Sequence, residues 1–102
     1  MNTFEKIYEV VCKIPKGKVC TYGIIAAKCG IKNPRVVGFA LHQNKKPIVV
    51  PCHRVVNRFG QLSKAFVFGG ENIQKQWLKN EGVQVVDNGV DLNKYLYKFE
   101  SD

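Results

Sequence analysis

Two short helices with clear start and stop signals follow each other in the first half of the chain and limit the folds it can adopt. Thr21 is a good N-cap for the first helix, and Gly30 is well placed to end it. Asn33 then caps the second helix, and Pro34 suits its first position, where a missing N–H costs no helical hydrogen bond. This spacing predicts a helix-turn-helix over about 21–44, although helical hairpins also occur as plain core structure.

Three other segments carry apolar residues at helical spacing. They are residues 3–13, with Thr3 as the expected cap, the segment from the Gly69–Gly70 pair to Gly82, and residues 91–99. Residues 48–50 are expected to form a short buried apolar run. Together these elements predict a mainly α fold, a winged helix-turn-helix-like DNA-binding domain with short extended segments.

The length of 102 residues and the hydrophobic fraction of 45% predict one folded domain with a single core. No apolar run approaches the roughly 20 residues that span a bilayer, so no membrane partner is expected. The N-terminus lacks the basic start and long apolar stretch of a signal peptide. We therefore expect a soluble intracellular monomer, cytoplasmic, or nuclear if the host is a eukaryote.

The charge distribution says more than the net charge of +8. Between Val10 and Gly70 there is no Asp or Glu, yet this stretch holds eleven of the sixteen basic residues. A surface that serves only solubility mixes the two signs, so a polyanionic partner, most commonly nucleic acid, explains the pattern better. Chance clustering in a basic protein is the alternative. Membrane phosphates are a weaker rival, because no basic amphipathic helix with an aromatic face stands out.

The four cysteines show no metal-binding spacing. Cys12, Cys20, Cys29 and Cys52 are separated by 8, 9 and 23 positions, so no metal site is predicted and free thiols are expected. The first three are interpreted as small buried hydrophobic residues.

Cys52 has a different setting, because His53 follows it directly inside the basic segment. A thiol becomes a nucleophile as the thiolate, which a nearby base or cation promotes. Neighbours in an extended segment point to opposite faces, so proton transfer to His53 requires a bridging water or a bend at Pro51. The residues alone leave a reactive and an inert Cys52 equally open.

The segment Pro51-Cys52-His53-Arg54-Val55 resembles the acceptor-site motif of the O6-alkylguanine-DNA alkyltransferases. The resemblance continues in the family's order along most of the chain. It includes residues 14–23, 35–40, 44–48, 69–70 and 78–82. It implies that residues 1–102 form the family's DNA-binding domain, with the acceptor motif at 51–55, and that the N-terminal domain of full-length members, which carries zinc in some of them, is absent.

The resemblance implies that the helix-turn-helix enters the minor groove of double-stranded DNA that contains O6-alkylguanine. Gly38 and Ala40 would give the recognition helix the small surface that a narrow groove requires. Arg35 would fill the base stack when the guanine rotates out, and Tyr22 would crowd the 3′ phosphate and help to eject the base. The DNA-binding residues expected on this basis are Thr21, Tyr22, Arg35, Gly38, Ala40 and Lys45.

The resemblance also assigns the chemistry. Glu81 orients His53, His53 draws the thiol proton of Cys52 through a water, Asn44 braces the nearby turn, and Arg54 is mainly structural. Direct displacement on carbon then gives S-alkylcysteine in a single turnover, without cofactor or metal. The alkyl pocket is expected to be lined by Pro47, Val55, Phe66 and Phe68.

The sequence departs from the transferring enzymes in the loop before Gly69. That loop is longer than in the transferring enzymes and lacks the family's pocket tyrosine, so Phe66 or Phe68 would supply the aromatic wall. Residues 60–64 are similar to the alkyltransferase-like proteins, which bind the same lesions without transfer and hand them to nucleotide excision repair. Those proteins typically have tryptophan at the position of Cys52. The retained cysteine favours transfer; the alternatives are a lesion sensor with excision-repair partners, and a nonspecific DNA-binding module with an inert Cys52.

Overall fold

Helices dominate the architecture of the part of the chain that the structure, a computed structural model, describes: residues 2–47 and 49–99. Two very short strands complete the regular structure. In chain order the elements are α1 (Thr3–Cys12), β1 (Cys20–Thr21), α2 (Tyr22–Lys28), α3 (Arg35–His42), the 3₁₀ acceptor turn (Cys52–Arg54), β2 (Val55–Val56), α4 (Gly70–Asn80) and α5 (Leu92–Tyr95). The predicted mainly α fold is confirmed.

Helices α2 and α3 form the predicted pair. The Thr21 hydroxyl accepts a hydrogen bond from the backbone N–H of Ile24 at 3.2 Å, and Gly30 follows the helix with φ of +72°. Helix α1 packs across both helices, and the main core lies between the three. Ile25 and Ala26 turn inward and are buried, whereas Ala27 is exposed.

Two helix starts differ from the predictions by one residue. Asn2, not Thr3, caps α1, because its side chain accepts from the N–H of Glu5 at 2.9 Å. Helix α3 begins at Arg35 rather than Pro34, although the Asn33 side chain still accepts from the N–H of Arg35 at 3.0 Å. Both differences are local, since the capping chemistry is present in each case.

The two strands tie distant parts of the sequence together. Strand β1 pairs in parallel with β2, with Cys20 opposite Val55 and Thr21 opposite Val56. All four residues are buried. Because β1 runs directly into α2 and β2 directly follows the acceptor turn, this pairing brings Cys52 next to the start of the helix-turn-helix.

The predicted helix over residues 91–99 is wrong after its first turn. Helix α5 ends at Tyr95, and the following chain is extended beside Val19, which accepts from the N–H of Tyr97 at 2.8 Å and donates to the carbonyl of Tyr95 at 2.9 Å. Tertiary pairing overrides the helical periodicity here. Of the helices described, none is long and apolar enough to cross a membrane.

Two predictions of burial near the acceptor segment are also wrong. Val49 is 66% exposed, while Val50 is buried and Ile48 lies outside the described residues. Cys12 is exposed at the end of α1, where its thiol donates to the carbonyl of Val49 at 3.1 Å. Cys20 is buried as expected, and Cys29 is half-buried.

Candidate active site

A cavity of about 530 Å³ lies between the helix-turn-helix and the loop of residues 61–69, which we call the wall loop. Its size falls within the usual range of small-molecule sites. Five of the predicted functional residues line it together: Tyr22, Arg35, Gly38, Cys52 and Phe66.

Seven other residues of the wall were not predicted. They are Pro34, Phe39, Leu41, His42, Ser63, Ala65 and Val67. Phe39 is the most informative of them, because it is 67% exposed in the middle of α3. A large apolar residue on the polar side of an amphipathic helix is the sequence signal that would have identified it. Ser63 contacts Tyr22: burial raises the pKa of Tyr22, and a side-chain hydrogen bond with Ser63 opposes that rise.

Gly38 and Ala40, expected to present one small surface to the groove, have different environments. A Cβ on Gly38 would meet no heavy atom within 4 Å, so this position is open to a ligand. Ala40 is fully buried against α1, and its carbonyl accepts from the Tyr8 hydroxyl at 2.6 Å. The small size of Ala40 therefore serves helix packing, and Gly38 alone provides the open surface.

The other predicted pocket and DNA-binding residues lie outside the cavity wall. Val55 is fully buried in β2, and Phe68 stacks on Trp77 with ring centroids 5.9 Å apart. Pro47 is half-buried, Lys45 is exposed, and Thr21 is buried as the cap of α2. Val55 and Phe68 therefore pack against other parts of the protein, and Thr21 caps a helix; none of the three lines the cavity.

Cys52 is held in a turn rather than in the extended segment that was expected. The acceptor turn is 3₁₀-helical, and Cys52 is 4% exposed at the cavity wall. Asn44 lies beside it, with its side-chain nitrogen 3.6 Å from the Cys52 sulfur and 3.0 Å from the carbonyl of Val50. Burial raises the pKa of Cys52, and the hydrogen bond from Asn44 opposes the rise. The thiol is therefore protonated at neutral pH and needs a base to become a nucleophile.

The residues after Cys52 form a hydrogen-bonded group with Glu81. The Nε2 atom of His53 lies 3.0 Å from Oε2 of Glu81, and Arg54 donates to both carboxylate oxygens at 2.9 and 2.6 Å. Arg54 also donates to the carbonyl of Ile14 at 2.8 Å. Burial pushes the pKa of Glu81 upward, but the hydrogen bonds from Arg54 and His53 outweigh it and hold that pKa below its usual value. Glu81 is therefore a carboxylate, held in place by Arg54.

His53 has the properties of a general base. Burial lowers its pKa, against the opposing hydrogen bond with Glu81, so the ring is neutral at physiological pH. When Nε2–H donates to the Glu81 carboxylate, Nδ1 carries the free lone pair. Nδ1 is buried and has no hydrogen-bond partner within residues 2–47 and 49–99. Of the two ring nitrogens, Nδ1 is the one available to take a proton.

No group of three or more His, Cys, Asp or Glu side chains in the described part of the chain is arranged to hold a metal ion.

This chain is similar in sequence to known proteins. Residues 2–83 match the family described as 6-O-methylguanine DNA methyltransferase, DNA binding domain. Alkyltransferase-like protein 1 of Schizosaccharomyces pombe is 39% identical over 93% of this chain and 94% of its own length. The methylated-DNA–protein-cysteine methyltransferase of Methanothermobacter thermautotrophicus is 38% identical over 79% of this chain but only 44% of its own length.

The fold is likewise similar to that of a solved structure. The crystal structure of S. pombe Atl1 in complex with damaged DNA containing O6-carboxymethylguanine superposes with a TM-score of 0.85. That alignment has 38% identity and covers 94% of both chains.

Proposed function

This chain belongs to the family of the 6-O-methylguanine DNA methyltransferase DNA-binding domain, and we propose that it binds O6-alkylguanine in double-stranded DNA and transfers the alkyl group to Cys52. The observation that carries the proposal is the position of Cys52 in the cavity wall. Its sulfur is 3.6 Å from Asn44, and the next residue, His53, is a neutral base hydrogen-bonded to Glu81. A thiol, a base and an orienting carboxylate are the parts of an activated nucleophile.

The cavity also offers the residues needed to engage a base outside the helix. Arg35 lines the cavity from the start of α3, Gly38 leaves an open surface one turn later, and Tyr22 lines the same cavity from the start of α2. A protein that modifies a base in duplex DNA must rotate it out of the stack, at a cost of a few kcal/mol that a damaged pair reduces. Arg35 would replace the departing guanine in the stack, and Tyr22 would press on the backbone beside it.

The proposed transfer is a displacement on carbon. His53 takes the thiol proton through a bridging water, and the Cys52 sulfur attacks the alkyl carbon attached to O6. A carbon–sulfur bond forms as the carbon–O6 bond breaks, and its electron pair leaves with the guanine, which regains one proton. Because a thioether does not hydrolyse readily, each molecule reacts once.

An intact-mass measurement tests the transfer. After incubation with a duplex containing O6-methylguanine, we expect the protein mass to rise by about 14 Da, one methyl for one hydrogen, on a covalently modified Cys52. Peptide mapping identifies the modified residue. Tight lesion binding with no mass change would refute the transfer.

The second candidate is a lesion sensor that binds the same DNA without transfer and recruits nucleotide excision repair proteins. It is favoured by the end-to-end similarity to alkyltransferase-like protein 1 and by a wall loop whose aromatic residue at the cavity is Phe66 instead of a tyrosine. Lesion preference without S-alkylation would establish this function in place of the first. Equal affinity for damaged and undamaged DNA would remove both.

Replacing Arg35 by alanine is expected to reduce binding to lesion-containing DNA more than binding to undamaged DNA, because the side chain acts only once the base has left the stack. We expect the ratio of the two affinities to fall roughly tenfold, which corresponds to about 1.4 kcal/mol. Fluorescence anisotropy with matched duplexes measures both affinities. Arg58→Ala is the control, because Arg58 is an exposed arginine outside the cavity wall. Equal losses in both affinities for Arg35→Ala would contradict the role in the stack.

The affinity for DNA is expected to fall steeply with salt, because the basic segment between Val10 and Gly70 would release counterions from the phosphates. For about six neutralised phosphates the affinity should drop on the order of 10³-fold between roughly 50 and 200 mM salt. A salt titration of undamaged-duplex binding gives the slope. A flat response would mean that the charge asymmetry has another origin.

A further inference from the structure

Gln74 is a fully buried polar residue in the middle of α4 that the proposed chemistry does not use. Its side-chain nitrogen donates to the carbonyl of His53 at 3.1 Å and to the carbonyl of Val55 at 3.0 Å. Its side-chain oxygen accepts from the backbone N–H of Ser63 at 2.8 Å. Both amide donors and the amide oxygen are therefore engaged, all of them with backbone groups more than ten positions away in sequence.

These partners belong to two separate segments of the candidate site. His53 lies in the acceptor turn, and Val55 directly follows it. The hydrogen bonds to their carbonyls therefore fix the position of that turn. Ser63 belongs to the wall loop and lines the cavity with Cys52. Its hydroxyl accepts from the N–H of Ala65 at 3.2 Å and hydrogen-bonds Tyr22. One amide thus connects the turn that carries the thiol with the wall loop and, through Ser63, with Tyr22 of α2.

We propose that Gln74 is a positioning residue that sets the separation between the acceptor turn and the wall loop, and so aligns the alkyl carbon of the bound guanine with the Cys52 sulfur. This inference rests on the proposed function. It follows from the geometry, because the amide contacts backbone groups of the acceptor turn, of the residue after it and of the wall loop, while Gln74 itself does not line the cavity.

The chemistry of the amide separates this role from simple filling of the core. Methionine has a similar volume but offers none of the three hydrogen bonds, so the acceptor turn and the wall loop are no longer tied to each other. Glutamate keeps the acceptor for Ser63, but as a carboxylate it faces the carbonyls of His53 and Val55 without a donor. Protonated glutamate restores one of those two hydrogen bonds.

The experiment compares Gln74→Met and Gln74→Glu with the wild-type protein and with Gln76→Met, which alters an exposed glutamine of the same helix. Two quantities are measured: the single-turnover rate constant of methyl transfer at saturating O6-methylguanine duplex, and the Kd for undamaged duplex. The fluorescence of Trp77, the single tryptophan, reports the folded fraction at the assay temperature.

For Gln74→Met we expect a fall in the rate constant on the order of 100-fold, the size of effect that a misplacement of about 1 Å produces. The Kd should stay within about threefold, and Gln76→Met should match the wild type in both quantities.

The pH profile gives a readout that a purely structural role would not move. The rate constant of Gln74→Glu, divided by that of the wild type at the same pH, should rise as the pH falls from about 8 to 5.5, because burial raises the pKa of the introduced carboxyl. The same ratio for Gln74→Met should stay constant. All proteins compared contain the same ionisable groups on the elements that Gln74 bridges, and the constant Gln74→Met ratio controls for their titration. These groups are Cys52, His53, Arg54, Lys64, Glu71, Lys75, Lys79 and Glu81.

Three results would overturn the positioning role of Gln74. Wild-type rates in Gln74→Met, or a loss of transfer matched by an equal loss of undamaged-DNA binding, would overturn the positioning role. Unfolding of both variants would overturn it too, since the amide would then hold the fold as a whole. A wild-type protein that transfers nothing refutes the proposed transfer instead, and the ratio of lesion to undamaged affinity then becomes the quantity that Gln74→Met must reduce.

Discussion

Replacement of Cys52 by alanine is expected to abolish methyl transfer while lesion-containing DNA is still bound preferentially. The sulfur is the attacking atom in the proposed displacement, so no rate above the uncatalysed background should remain. Recognition depends on other groups of the wall, chiefly Tyr22, Arg35 and Gly38. Asn44 keeps its hydrogen bond to the carbonyl of Val50, so the acceptor turn should not collapse when the sulfur is removed. Intact mass after exposure to the methylated duplex measures transfer, and anisotropy with the same duplex measures binding.

Cys12→Ala is the matched control for this experiment. Cys12 is the exposed cysteine of the chain and so the thiol that a nonspecific methyl donor would reach most easily, whereas Cys52 is 4% exposed. Cys12→Ala should gain the same mass as the wild type. A methylated Cys52→Ala protein, or an unmethylated Cys12→Ala protein, would show that the acceptor is not Cys52.

The sequence predicted the helix-turn-helix well because its boundaries depend on local chemistry. The Thr21 cap, the left-handed Gly30 and the Asn33 side chain act over two or three residues, and each does so in the structure as expected. The segment from residue 91 to 99 shows the opposite case. Its apolar spacing is helical, but backbone pairing with Val19, more than seventy positions away, makes its second half extended, and no local pattern reports that contact.

The sequence predicted those residues of the candidate site whose type has a specific chemical role. It was less informative for residues whose role depends on their position in the fold. Cys52 and His53 were identified with their neighbours, but their relative geometry was not, because a 3₁₀ turn replaces the expected extended segment. Ala40 was placed on the DNA surface since a small residue on a helix fits a groove or a close helix contact equally well. Gln74 was missed altogether, because a glutamine on an amphipathic helix is most often a solvent-exposed residue.

Glu81→Gln is expected to lower both the stability and the transfer rate, because one carboxylate serves two partners. Arg54 donates to it twice, and the change leaves a largely buried guanidinium without its counter-charge. Breaking such a pair on one side costs about 3 kcal/mol, which corresponds to a fall in Tm of roughly 12–24 °C for a domain of this size. His53 also loses the carboxylate that orients it and raises its basicity, so we expect transfer to slow by roughly 10- to 100-fold, as for other orienting partners.

The loss of stability in Glu81→Gln is expected to depend on pH. The pKa of Glu81 is held below its usual value in the folded protein, so its contribution to stability is present at neutral pH and is lost as the pH falls through that lowered pKa. The difference in free energy of unfolding between the wild type and Glu81→Gln should therefore be largest near neutrality and shrink in acid, where the wild-type carboxyl is itself protonated. Urea titrations from about pH 8 to 3 measure this difference in free energy of unfolding.

Glu9→Gln, which removes an exposed carboxylate of α1, is the control. Its free energy of unfolding should differ from that of the wild type by less than about 0.5 kcal/mol at every pH. A difference for Glu81→Gln that stays constant with pH would show that Arg54 and His53 do not depend on the charge of Glu81.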